Sequence, residues 1–132
     1  MNTLKNITAG AASVACLAAV TLSLGAAPAD ARGDDEVIKT GACSGSADWK
    51  LKVKPDDGRL EVEGEVDSNV NGQRWAWVIK HNGSVSARGT STTVAPSGSF
   101  EVERRLVNLA GTDRIVFKAS HNGQTCRGVV NY

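Results

Sequence analysis

The side chains of this chain best suited to chemistry are two histidines, two cysteines and a small group of tryptophans and arginines. His81 and His121 each precede an Asn-Gly dipeptide, which predicts a turn, and from there either ring would have to reach Asp113 or Asp48 across the fold. The motifs of nucleophile elbows, zinc proteases, phosphate-binding loops and dinucleotide sites are absent from the sequence. We therefore expect no enzyme activity, no catalytic residue, no metal site and no cofactor.

A candidate binding set combines Trp75 and Trp77 with Arg74 and Arg88. Aromatic rings beside guanidinium groups stack on sugars or anchor a protein partner. The competing interpretation places both indoles in the hydrophobic core, because large aromatic side chains are mostly buried. The choice depends on the register of the hairpin that carries them.

The first 31 residues have the three parts of a secretory signal peptide. Lys5 is the only charge in a short head, an apolar run covers residues 7–27, and Ala29-Asp30-Ala31 forms a cleavage site. We expect cleavage after Ala31 and a secreted, extracellular protein, for which the cell wall is one expected location. Residues 32–36 are polar and predict a flexible tail, so the folded domain is expected to span residues 37–132.

Signal removal takes away Cys16 and leaves an even pair of cysteines, Cys43 and Cys126. An exported chain with two thiols is expected to form a disulfide bond between them. Closing so long a loop stabilises the folded state by roughly 4 to 5 kcal/mol in the chain-entropy model.

The charge of the chain gives no indication of a highly charged partner. The formal net charge is +1, and removing Lys5 and Asp30 with the signal leaves it unchanged. We therefore expect no nucleic-acid partner and no membrane partner after signal cleavage. We also expect a monomer.

Short runs with period-2 alternation, separated by Gly, Pro, Asn and Asp, predict an all-β fold. Counting residues 37–43 as the first strand gives about eight strands with turns every 8 to 12 residues, the spacing of a β-sandwich. The pattern therefore predicts a single all-β antiparallel sandwich of about 7–8 strands with one disulfide.

The first hairpin turns at Pro55-Asp56-Asp57-Gly58. A four-residue turn gives one apolar face and one face with alternating charges, which is typical of a solvated sheet surface. The expected pairs are Val53–Leu60, Leu51–Val62 and Trp49–Gly64 on the apolar face, with Lys52–Glu61 and Lys50–Glu63 on the charged face.

The second hairpin has two possible registers around His81-Asn82-Gly83. A two-residue turn pairs Trp77 with Arg88 and exposes both tryptophans, whereas a three-residue loop pairs Trp77 with Ala87 and Trp75 with Gly89. We favour the three-residue loop, because it gathers the apolar side chains on one surface that requires burial.

The third hairpin repeats the turn sequence as His121-Asn122-Gly123. A two-residue turn pairs Ala119 with Cys126, which directs the Cys126 side chain inward. The same alternation predicts that Phe100 and Val102 point into the core in the strand before this hairpin.

Six parts of the mature chain form a combination that is informative as a whole: Cys43 to Lys52, Lys54 to Arg59, Trp75, His81-Asn82-Gly83, Ala95 to Phe100 and Gln124 to Arg127. In these segments the chain resembles a group of small secreted actinobacterial proteins of unassigned function. The resemblance covers most of the mature chain and implies an exported, immunoglobulin-like sandwich. It implies no particular activity.

We expect a non-catalytic binding or interaction module whose partner is an extracellular protein or a cell-wall glycan. The alternative is a secreted protease inhibitor that presents a rigid loop, such as residues 95–99, to an enzyme cleft.

Overall fold

The computed structural model describes residues 35–132. The expected signal peptide, its cleavage site and residues 32–34 of the expected tail lie outside the described residues. Within the tail, the backbone oxygen of Asp35 accepts a hydrogen bond of 3.0 Å from the Tyr132 hydroxyl. Residues 35–132 contain no helix that is long and apolar enough to cross a membrane.

Eight strands make up the described part of the chain. They are β1 (Val37–Ala42), β2 (Asp48–Asp56), β3 (Arg59–Asp67), β4 (Arg74–His81), β5 (Ser84–Thr92), β6 (Ser99–Val107), β7 (Arg114–His121) and β8 (Gln124–Asn131).

The strands form two four-stranded antiparallel sheets, ordered β1-β2-β3-β6 and β5-β4-β7-β8. Inward side chains of both sheets pack into one core that includes Leu51, Val62, Ile79 and Phe117. The predicted fold class is confirmed: an all-β antiparallel sandwich of eight strands with one disulfide.

The three hairpins use the same two-residue turn, an Asx residue followed by glycine, with both residues at positive φ. These are the dihedral signs of a type I′ turn, whose twist matches that of paired strands. In the first hairpin the turn is Asp57-Gly58 rather than the four residues from Pro55. The expected pairs are therefore wrong by two positions: Val53 faces Val62 and Lys52 faces Glu63.

Both registers considered for the second hairpin are wrong in detail. Trp77 faces Gly89, Ile79 faces Ala87, and a β-bulge at Ile79/Lys80 changes the alignment before the Asn82-Gly83 turn. The bulge admits a two-residue turn and still keeps the tryptophans on the inner face. The predicted placement of both tryptophans in the core is thus correct, but the three-residue loop from which it was predicted is wrong.

The third hairpin has the predicted register, with Ala119 facing Cys126. Phe100 and Val102 are buried, as expected for the inner face of β6. The Cys43–Cys126 disulfide is present and joins the segment after β1 in one sheet to β8 in the other. This bond confirms the predicted pairing of the two cysteines.

Two glycines leave space between the sheets for the aromatic rings of Phe117 and Trp49. A Cβ atom on Gly64 would lie 2.6 Å from the Phe117 ring, and one on Gly128 would overlap the Trp49 ring. The expected pairing of Gly64 with Trp49 is wrong, because Gly64 faces Leu51 and Trp49 faces Val66. Side-chain shape across the two sheets, rather than pairing within one hairpin, explains these glycines.

Candidate functional site

Both tryptophans of the candidate binding set lie in the core. Trp75 is 0% and Trp77 5% exposed. Their indole nitrogens donate hydrogen bonds to the side-chain oxygens of Gln73 at 3.3 Å and Ser91 at 3.1 Å, so the polar atoms are satisfied internally. Neither ring offers a face on which a sugar could stack.

The arginines of the candidate set are separated from the tryptophans. Arg74 and Arg88 occupy outward positions of β4 and β5, on the opposite side of the sheet from the indoles. The guanidinium that does lie over Trp77, at 5.1 Å, belongs to Arg104 of β6 in the other sheet. The four residues therefore do not form one site, although the two arginines contribute to a surface described below.

The two histidines have structural partners. His81 Nε2 lies 2.6 Å from Oδ1 of Asp113, a carboxylate that is 1% exposed and also accepts from the Leu109 amide. His121 stacks on Trp75 and donates from Nδ1 to the Arg74 carbonyl oxygen at 2.7 Å. Neither ring hydrogen-bonds to a serine, threonine or cysteine within residues 35–132. In the same residues, no group of three or more His, Cys, Asp or Glu side chains is placed to hold a metal ion.

The loop proposed for a protease inhibitor is a closed turn. The Val94 amide donates to the Ser99 carbonyl oxygen at 3.0 Å, and the Gly98 amide donates back to Val94 at 2.9 Å. These bonds close the ends of the loop into a turn, and the Gly98 carbonyl oxygen accepts from the Ser68 amide at 2.9 Å. The loop is therefore not the extended segment that would pair with an enzyme cleft, so its geometry does not favour the inhibitor alternative.

The outer surface of the sheet β5-β4-β7-β8 carries only positive charge, and we call it the basic face. The four strands contain no aspartate or glutamate. Their cations occupy outward positions, as the strand registers show, and are Arg74, Lys80, Arg88, Arg114, Lys118 and Arg127. No salt bridge within residues 35–132 includes any of these six side chains.

The outward residues of the basic face form three parallel rows across all four strands. A hydroxyl row consists of Thr90, Ala76, Ser120 and Thr125; a cationic row consists of Arg88, Val78, Lys118 and Arg127; an apolar row consists of Val85, Lys80, Val116 and Val129. The rows arise because β4 pairs with both β5 and β7, which brings two hairpins that are separate in sequence, β4–β5 and β7–β8, into register.

The cationic row places like charges side by side. Lys118 and Arg127 are directly opposite on neighbouring strands, an arrangement that destabilises an antiparallel pair. An open depression of about 960 Å³ covers this area and is lined by both residues together with Lys80, Arg88, Val78 and Ala76. A second depression of about 390 Å³ continues toward Arg74 and His121.

The outer surface of the sheet β1-β2-β3-β6 has a different electrostatic arrangement, and we call it the mixed face. Here lysines of β2 pair with glutamates of β3: Lys52 with Glu63 at 3.0 Å and Lys50 with Glu65 at 3.6 Å. Glu63 also shares a hydrogen bond with Glu101 of β6, which raises the pKa of Glu101 to about 7. The lysines of β2 are thus compensated by the glutamates of β3, whereas glutamates of β3 and β6 lie opposite one another.

Sequence patterns alone missed the basic face. Its six cations are spread over four strands and are cancelled in the net charge of +1 by acidic residues elsewhere. The available signal was the distribution of acidic residues, which are absent from β4, β5, β7 and β8.

Comparisons with models of known protein families, with curated proteins and with solved structures found no match to this chain.

Proposed function

We propose that the protein is a secreted, non-catalytic binding module that holds an anionic extracellular partner, a cell-wall glycan or an exported protein, on its basic face. The observation that carries this proposal is the set of six cations with neither an acidic residue on their strands nor a salt bridge within residues 35–132. A like-charge pair such as Lys118–Arg127 costs folding free energy, and an anionic partner would offset that cost.

Extracellular action is supported by the signal sequence pattern in residues 1–31 and by the disulfide between Cys43 and Cys126. A sandwich held by a covalent link between its sheets is a rigid platform, and a rigid surface binds with a smaller loss of conformational entropy.

Two variants with the same change in net charge test this proposal. Lys118→Gln/Arg127→Gln removes two cations from the basic face, and Lys50→Gln/Lys54→Gln removes two from the mixed face. Binding of each variant to washed cell walls of the producing organism, and to the proteins in its culture supernatant, is measured as a function of salt concentration. We expect the affinity of the basic-face variant for its partner to fall about tenfold and the affinity of the mixed-face variant to stay unchanged.

An equal loss in both variants would show a dependence on net charge alone and would contradict a defined basic face. Unchanged retention of the basic-face variant would contradict the proposal as well. Far-UV circular dichroism and a urea titration establish that both variants are folded.

A further inference from the structure

The arrangement of the three rows on the basic face bears on the shape of its ligand, and this step rests on the function proposed above. The cationic row runs across the strands from Arg88 to Arg127. Neighbouring strands lie about 4.8 Å apart, so the row is about 14 Å long. A ligand that contacts the whole row must be extended and must carry negative charge at several points.

The two rows that flank the cations differ in chemistry. On one side the hydroxyl groups of Thr90, Ser120 and Thr125 are exposed, and none of them hydrogen-bonds to another residue within positions 35–132. On the other side lies an apolar row, in which Val116 is only 3% exposed although it faces outward, since Lys80 and Val129 lie directly opposite it. The surface therefore offers hydrogen-bonding groups, charge and aliphatic contact in three adjacent strips.

We infer that the basic face binds a linear anionic polysaccharide that lies along the cationic row, perpendicular to the strands. Charged groups of three of its sugar units contact Arg88, Lys118 and Arg127. Its hydroxyl groups reach the hydroxyl row, and its carbon skeleton lies over Val78 and the apolar row. One sugar unit of an extended chain is about as long as the spacing between two strands, so about four units fill the row.

Other occupants fit this surface less well. A neutral glycan normally binds through exposed aromatic rings, and the outward positions of the basic face contain none, because Trp75 and Trp77 face the core. A protein interface is usually enriched in aromatic side chains and depleted in lysine, whereas this face contains Lys80 and Lys118. A single small anion would use only one of the dispersed cations.

Oligogalacturonates of defined length, which carry one carboxylate per sugar unit, provide the probe for a calorimetric titration of the disulfide-bonded protein, residues 32–132. We expect affinity to rise steeply up to about four units and slowly beyond that length. Methyl esterification of the same oligomers, which removes the charge and keeps the chain, is expected to abolish binding.

Three variants of the same protein locate the ligand. Arg88→Gln and Arg127→Gln, at the two ends of the cationic row, are each expected to weaken binding of the longer oligomers about tenfold. Arg59→Gln, at an exposed position of β3 in the other sheet, is the control and is expected to change binding less than twofold. Each guanidinium lost from the row should also reduce the salt dependence of log K, whereas the Arg59 variant should not.

Equal affinity for one and four units, or an equal loss in the Arg59→Gln variant, would overturn the proposed contact along the cationic row. Tighter binding of polyglutamate or of single-stranded DNA than of the oligogalacturonates would contradict the proposal that the ligand is a polysaccharide. Retention on cell walls through Lys118 and Arg127, combined with no binding of any oligogalacturonate, would overturn this inference while leaving the proposed function intact. If the unaltered protein neither binds oligogalacturonates nor is retained on cell walls or supernatant proteins through its basic face, the proposed function is wrong as well.

Discussion

The outer surfaces of the two sheets arrange their charged side chains in opposite ways. On the mixed face, lysines of β2 stand opposite glutamates of β3, and the pairs Lys52–Glu63 and Lys50–Glu65 form salt bridges. On the basic face, Lys118 stands opposite Arg127 and no acidic residue occupies the four strands. Lysines of the first surface thus have salt-bridge partners within the protein, whereas no salt bridge within residues 35–132 includes a cation of the second.

This difference shows that net charge is a poor guide to the partners of a sandwich protein. A net charge of +1 for the whole chain describes neither surface. What a partner meets is the charge of one face, because salt screens interactions beyond about 8 to 10 Å under physiological conditions.

The largest effect on stability is expected from removing the disulfide bond that links the two sheets. Cys43→Ala/Cys126→Ala removes the covalent link between the sheets, across a sequence separation of 83 residues. We expect a loss of roughly 4 to 5 kcal/mol in the free energy of unfolding, measured by urea denaturation. Because the rows of the basic face depend on hydrogen bonds within one sheet, the variant should still bind its partner below its unfolding midpoint.

A stability loss below about 1 kcal/mol would contradict the chain-entropy explanation. A loss of binding under conditions in which the variant remains folded would show that the basic face depends on the position of the other sheet. Reduction of the unaltered protein with dithiothreitol provides a control that introduces no substitution.

The sequence was sufficient for those parts of the fold that depend on local pattern. Alternation gave the inward side chains of β6, and the Asn122-Gly123 turn gave the correct register of the third hairpin, because a two-residue type I′ turn fixes pairing. The even cysteine pair correctly gave the disulfide.

The errors came from features that a linear pattern does not contain. Pro55 appeared to end a strand, yet β2 continues through it, because the pairing of β2 with β1 ends at Val53 and no β1 residue needs the missing amide. The bulge at Ile79/Lys80 altered the second hairpin. The basic face required the pairing of β4 with β7, two strands far apart in sequence, and only that pairing aligns Val78 with Lys118.

A smaller effect is expected from the same charge reversal placed on each face. Lys52→Glu breaks the 3.0 Å contact with Glu63 in a cluster of glutamates, so we expect a loss of about 1 kcal/mol in the free energy of unfolding. Lys118→Glu turns a like-charge pair with Arg127 into an opposite-charge pair, so we expect a gain of about 0.5 kcal/mol.

Both substitutions change the net charge equally, so each is the control for the other in a urea titration at low salt. Loss of stability in both variants would contradict the contrast between the faces. The difference between the variants should decrease in high salt, because both effects are electrostatic and lie near the surface.

The smallest effect concerns the dependence of stability on pH, which originates on the mixed face. The pKa of Glu101 is raised from its ordinary value of 4.5 to about 7 by its hydrogen bond with Glu63, with contributions from burial and from the charges of Glu63 and Glu65. Between pH 4.5 and 7 this carboxyl group therefore binds more protons in the folded state than in the unfolded state. Stability contributed by this group is present below pH 4.5 and is lost as the pH rises through 7.

Glu101→Gln keeps a donor toward Glu63 but cannot ionise, so this part of the pH dependence should disappear. We expect the variant to gain stability relative to the unaltered protein between pH 5 and pH 8, by less than about 1 kcal/mol, since the side chain is exposed to solvent. Urea titrations at both pH values give the difference, and subtraction of the unaltered protein removes the contributions that are common to both proteins. Glu36→Gln, which precedes the first strand, is the control and should show no such gain. If the two variants respond equally to pH, the proton shared by Glu63 and Glu101 does not distinguish the mixed face from the rest of the surface.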